Sequence, residues 1–258
     1  MPEFPWPEPA LSAIAEAAEA VLPTPVPVPS ITFGVEEAQE PEDLVLTLQI
    51  IFILTILTLA PSLLVLLTSF TRTVVVLSFT RSALGINQMP PNQVLIGLAL
   101  FLTFYTMAPV WQEINTTALQ PYLAGELTFQ AAGERAYAPL YRFMLQHTRD
   151  KDLSLFVGAA GLAERAVEGE ISRENLPFHV LVPAFVISEL KSAFQMGFIL
   201  YVPFLVIDMI IASVLMSLGM MMLPPVLISL PFKLLLFVMV DGWHLVVRSI
   251  LLGYQTGG

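Results

Sequence analysis

Apolar residues run along this chain in blocks too long for the buried face of an ordinary soluble helix. From Leu44 to Thr71 there are 28 consecutive residues without a charge. At 1.5 Å per residue a helix of that length exceeds the ~30 Å hydrocarbon thickness of a bilayer. Pro61 predicts a kink within it. Ser82 to Gln112 is a second uncharged run, and Pro90-Pro91 marks the start of its long helix. Apolar sequence resumes near Phe178 and continues to Leu252, broken by Glu189, Lys191, Asp208, Lys233, Asp241 and Arg248. That run is too long for one span, and Pro224-Pro225 divides it into a helical hairpin. Residues 113–178 differ: charges return, Gly and Pro punctuate, and Leu140, Phe143, Met144, then Leu153, Phe156, Val157 fall at helical intervals.

The pattern predicts an all-α protein of membrane type with four long hydrophobic helical segments. Residues 44–112 form a first hydrophobic pair, 113–178 a small soluble helical insert, and 179–258 a second hairpin. Residues 1–43 read as a poorly ordered tail. The stretch Pro23 to Pro29 favours polyproline II, and nine acids without one base repel one another. A signal peptide does not fit there, because a basic start is missing and Glu16 and Glu19 interrupt the apolar run.

Composition supports the membrane reading. Of 258 residues, 56% are hydrophobic and 12% charged, and mean hydropathy is +0.76. Soluble domains carry about a quarter charged residues. The absence of Cys excludes disulfides, thiolate nucleophiles and cysteine metal sites. Net charge is −10, with no Lys/Arg cluster of the kind nucleic acid requires. Arg72 and Arg81 are the only bases between the first two spans, so the positive-inside rule places that loop in the cytoplasm and the tail and insert outside.

No catalytic constellation emerges, and neither a phosphate-binding loop nor a zinc-protease helix motif occurs. Asp241 and His244 are i,i+3. That spacing is compatible with a metal or proton-relay site, but a hydrogen-bonded pair or interfacial residues is the favoured reading, and no cofactor is expected. The charges within apolar sequence are more informative, since a charge in hydrocarbon costs at least ~2.5 kcal/mol and wants a partner. Glu189 and Lys191 are i,i+2 and point about 200° apart on a helix, so they cannot pair with each other. Each requires another helix, another chain or water. In the hairpin, a turn centred between 224 and 225 brings Asp208 and Asp241 to the same depth.

Seven of eleven methionines lie between 196 and 239, and Met220-Met221-Met222 precede the double proline. Methionine is unbranched and adaptable. Three in a row cannot all face one core side, so a turn here projects some of them into the space it borders. Core filling and a sealing lip are both compatible with this.

The motifs resemble the FliP family of bacterial type III export. The matching residues are Thr68-Ser-Phe-Thr-Arg72, Ala83-Leu-Gly85, the run Pro90 to Phe104, Phe143-Met-Leu with Thr148-Arg149 and Asp152-Leu153, and Pro183-Ala-Phe. They continue through Ser188-Glu-Leu-Lys191, Ala193-Phe-Gln195, Ile211 to Met216, Gly219 to Met222, Leu230 to Leu234 and Val240-Asp-Gly-Trp243. They cover about residues 44–252 in order, and Pro90 to Phe104 looks more like the flagellar than the injectisome branch. The resemblance implies a non-enzymatic subunit of a pentameric ring, assembled with the smaller FliQ and FliR proteins and with larger export-gate and basal-body proteins. It implies a location in the bacterial inner membrane and flagellar basal body, a conduit for unfolded protein substrates, and a pore gasket at Met220, Met221 and Met222. Glu189, Lys191, Asp208, Lys233 and Asp241 are the expected inter-subunit or partner contacts. Many members of the family begin with a cleavable signal peptide; here the acidic tail implies a mature or truncated chain, or insertion directed by the first helix. The rival readings are a small-solute or proton transporter using Asp208, Asp241 and His244, and a scaffold that lines no pore.

Overall fold

The computed structural model describes residues 41–86, 89–167, 169, 171–220 and 222–255. The chain divides into two units, Met1–Ile53 and Leu54–Gly258. In the first, the described residues open helix α1, Pro41–Leu67. The rest of the acidic tail lies outside the described residues.

Helix α1 runs on through Pro61, and the 67° bend that follows comes at Thr68-Ser69, before α2, Phe70–Ala83. Hydroxyls make the break tolerable. Thr68 Oγ1 donates to the Leu64 carbonyl, Thr71 Oγ1 donates to that of Val65 at 2.6 Å, and Thr68 Oγ1 accepts from the Phe70 amide. Two of the last-turn carbonyls of α1, orphaned where the helix stops, thus gain side-chain donors.

Helix α3, Asn92–Ile114, starts at Pro91 and continues through a π-helical stretch, Asn115–Leu119, into α4, Gln120–Leu123. It therefore extends past the boundary at 112 into the predicted insert. There follow α5, Phe129–Gln146; α6, Asp150–Ala159; α7, Ala163–Val167; and a 3-10 turn, Arg173–Asn175. Helix α8, Phe178–Ser217, is 40 residues long, or about 60 Å. A loop leads to α9, Pro225–Met239, and a 63° bend at Val240-Asp241 leads to α10, Gly242–Gln255.

Two cores hold the second unit together. In one, Val76 and Leu77 of α2 pack with Leu95 and Ala99 of α3, Ala193 and Phe204 of α8, Phe237 of α9 and Ile250 of α10. In the other, Met107 of α3 and Leu181, Ala184 and Phe185 of α8 pack with Phe143 and Met144 of α5 and Leu153 of α6. Residues 129–176 thus share their core with the ends of two long helices. Gly197 lets α2 approach α8 closely: a Cβ there would come within 2.6 Å of the Phe79 ring.

Among the described residues, two helical segments, Asn92–Leu123 and Phe178–Ser217, are long and apolar enough to cross a membrane, and up to four if each bent pair counts as one. Much of α8 beyond residue 193 presents large apolar side chains outward, among them Phe194, Phe198, Ile199, Met209 and Ile210.

Candidate functional site

The methionine segment caps the long hairpin. Helix α8 ends in a Schellman arrangement: the Gly219 amide donates to Met216 O at 3.1 Å and the Met220 amide to Leu215 O at 3.0 Å. This closure needs a left-handed residue, and Gly219 supplies it at φ +73°. Pro224 and Pro225 then start α9, Pro225 occupying a first-turn position where no amide is missed. Glycine and proline between them force Met220 and Met222 into a loop. Met222 is 98% exposed and Met220 also faces outward. Met221 lies outside the described residues.

Below the loop, Asp208 of α8 is held by α9 of the same chain. Lys233 Nζ donates to Oδ2 at 2.6 Å and Ser229 Oγ to Oδ1 at 2.5 Å. The predicted register, with Asp208 level with Asp241, does not hold. Asp208 lies opposite residues 229 and 233, which centres the turn near 219–220. The reason is the loop itself: Leu218–Pro224 is a wide connection and not a tight turn at the double proline. Asp241 lies beyond the end of α9, at φ +52°, where it ends that helix. It caps α10, its carbonyl accepting from the Leu245 amide at 3.1 Å across the first turn, which holds His244; both residues are exposed. Among the described residues, no group of three or more His, Cys, Asp or Glu is arranged to hold a metal ion.

Glu189 and Lys191 diverge. Lys191 is exposed, whereas Glu189 is 0% exposed and pairs with Arg72, itself 1% exposed. Arg72 Nε donates to Glu189 Oε2 at 3.0 Å, and a second guanidinium nitrogen donates to Oε1. The remaining nitrogen donates to Gly253 O at 3.1 Å, and the guanidinium lies 4.0 Å from the centroid of the Tyr254 ring. Tyr254 Oη donates its one proton to Glu189 Oε2, and Ser69 O lies at 3.3 Å as the alternative acceptor. One buried ion pair thus ties the α1–α2 bend, the middle of α8 and the end of α10. Arg72 is therefore not a surface charge of a cytoplasmic loop. Of the two bases behind the topology argument, only Arg81 has solvent access, and it donates to Asn92 Oδ1 at 2.6 Å.

Sequence reasoning found Glu189 but missed Arg72 and Tyr254 as its partners. A usable signal existed: Arg72 lies in an apolar stretch with no nearby acid, and Glu189 lacks a base on its own helix face. A second buried group was also missed. Asp152 of α6 accepts from Ser188 Oγ at 2.5 Å and from Arg149 at 2.6 Å, while the Arg149 amide donates to Ser188 Oγ. Burial would raise the Asp152 carboxyl, but the Ser188 and Arg149 hydrogen bonds and the charges of Arg149 and Lys191 hold it below its usual value.

Fold and site together define an all-helical protein of membrane type, with exposed apolar helices, buried interhelical ion pairs and a methionine loop. The sequence profile of the FliP family matches residues 53–250. The flagellar biosynthetic protein FliP of Bacillus subtilis (strain 168) is 53% identical over 214 residues, covering 83% of this chain and 95% of its own. The protein of that name from Aquifex aeolicus (strain VF5) is 46% identical over 228 residues, 88% of this chain and 92% of its own. That of Cereibacter sphaeroides is 53% identical over 209 residues, 81% and 68%. The chain belongs to the FliP family, a family of flagellar export-apparatus components and not of enzymes.

Proposed function

We propose that this chain is a core subunit of the flagellar type III export gate, working in the bacterial inner membrane at the flagellar basal body. Five copies form a ring with FliQ- and FliR-type proteins, and the ring conducts unfolded flagellar substrates out of the cytoplasm. The tail and the 113–178 insert lie on the periplasmic side. Arg81, the accessible base between the first two spans, supports that orientation. With Glu189, Asp208 and Lys233 engaged inside the chain, Lys191 and Asp241 are the two of the five expected contact charges that stay exposed to meet neighbouring subunits.

The observation that carries the reading is the exposure of Met222 and Met220 on a loop fixed by Gly219 and two prolines. An apolar side chain projecting this far has little reason to exist on an isolated subunit. In a ring, five such loops make a soft apolar constriction. Methionine suits it, because its flexible thioether closes against any sequence and selects none. The test shortens Met220, Met221 and Met222 to Ala together. Ion leakage through the assembled gate rises while protein export is partly retained. A triple variant that stays as ion-tight as the parent, with export intact, sinks the gasket.

A further inference from the structure

His147 follows α5 and is only 6% exposed, yet neither ring nitrogen has a hydrogen-bond partner within the protein. Its ring stacks on Phe143 at 4.7 Å and on Tyr254 at 5.0 Å, with interplanar angles of 25° and 23°. Tyr254 carries Arg72 on its ring and Glu189 on its hydroxyl. A cavity of about 250 Å³ adjoins the histidine, lined among others by Thr106, Glu113, Arg142, Gln146 and Tyr254, and Thr106 Oγ1 is buried there without a partner. A buried imidazole with both nitrogens unpaired contributes little to stability for its desolvation cost. What the position does offer is a titratable group placed directly on the tyrosine that closes the ion-pair network.

We propose that His147 and its cavity form a proton-binding site that latches the C-terminal turn of α10: neutral His147 keeps Tyr254 stacked on the Arg72–Glu189 pair, and proton uptake releases it.

The neighbours on every side argue for release rather than for accommodation of the charge. From α2 comes Arg72, a cation. From α3 and α5 come Glu113 and Arg142, already paired with each other. From α8, Glu189 is committed to Arg72 and Tyr254. Two and five residues along the chain, Arg149 and Asp152 are likewise paired. An imidazolium thus gains no free acid, loses hydration, and meets Arg72. Accordingly His147 is pushed down from 6.5 to about 4, first by burial and then by Arg72. The sign follows. The latched state is fully favoured above about pH 6.5, where both states are neutral. Below it only the open state takes up the proton, so the latch weakens up to about tenfold per pH unit until about pH 4.

The test is amide hydrogen exchange of residues 250–255 in the full chain, purified in detergent and corrected for intrinsic pH dependence. In the parent, the open population climbs by up to about tenfold per unit between pH 6.5 and 4. In His147→Phe, which keeps Glu189 and the stack but cannot be protonated, that climb disappears; His147→Gln repeats the comparison with a polar, non-titrating side chain. Identical profiles in parent and variants, or a flat parent, overturn the proposal. A variant-free measurement accompanies it: with ring-labelled histidine followed by NMR, His147 takes up its proton well below the ordinary histidine value of 6.5. A His147 that titrates at that ordinary value also overturns the proposal.

Discussion

Arg72 and Glu189 show how single residues are constrained here. A buried ion pair is costly to form, but removing one partner is costlier, because the other charge stays behind in a low-dielectric interior. Glu189→Gln and Arg72→Met should each lose about 3–5 kcal/mol, read as a drop in thermal midpoint and detergent-extracted yield. The double variant Arg72→Met/Glu189→Met should recover a large part of that loss. A double variant no better than the worse single would mean that the pair's hydrogen bonds to Gly253 and Tyr254, and not its charge balance, hold the three segments. Asp152 obeys the opposite pH logic from an unpaired acid. Its carboxyl is held low in the folded chain, so its contribution is present above about pH 3.8 and fades as pH falls below that. Asp152→Asn should flatten acid unfolding in that window, monitored by near-UV circular dichroism.

Helix packing depends on where side chains are absent. Gly197 faces Phe79 so closely that a methyl group has no room. Gly197→Ala should therefore push α2 from α8 and cost about 1–3 kcal/mol. Gly97, in α3, has nothing within 4 Å of a built Cβ, and Gly97→Ala should be neutral or gain several tenths of a kcal/mol from helix propensity. Thermal midpoints of the two variants check the contrast, and equal midpoints would remove the argument for close α2–α8 contact. The bends follow a related rule. Thr68 and Thr71 satisfy carbonyls at the α1–α2 break, and Asp241 ends α9 in a conformation most residues avoid. Each bend has its own local chemistry, and Pro61, inside α1, did not need to make one.

For the molecule as a whole, the outward face of α8 decides what this chain must be covered by. Phe198 and Ile199, at 71% exposed for the latter, make no sense in water. This chain has no cysteine, so single-cysteine labelling is clean. Ile199→Cys should react with a maleimide in the detergent-solubilised chain, while Ala193→Cys, fully buried six residues earlier, should not. In the assembled export gate the Ile199→Cys reaction should fall sharply. Unchanged reactivity in the assembly would leave that face to lipid alone.

The long uncharged runs, the return of charge in the middle and the Gly-Met-Met-Met-Leu-Pro-Pro segment were enough to set helix type, membrane character and the methionine loop. These are local properties: hydrophobic length, the φ freedom of Gly219 and the missing amides of Pro224 and Pro225 act within a few residues. Long-range geometry was not legible. That Glu189 meets Arg72, 117 positions away, depends on how α2 lies along α8. That Asp208 meets Lys233 and not the level of Asp241 depends on the width of a loop, where a shift of a few residues moves every depth by several ångströms. That residues 129–176 share their core with α3 and α8, and that His147 is buried against Tyr254, required both cores to be assembled. Apolar periodicity says which residues seek burial; only the packed helices decide against what, because many partners satisfy the same hydrophobic demand and one backbone arrangement chooses among them.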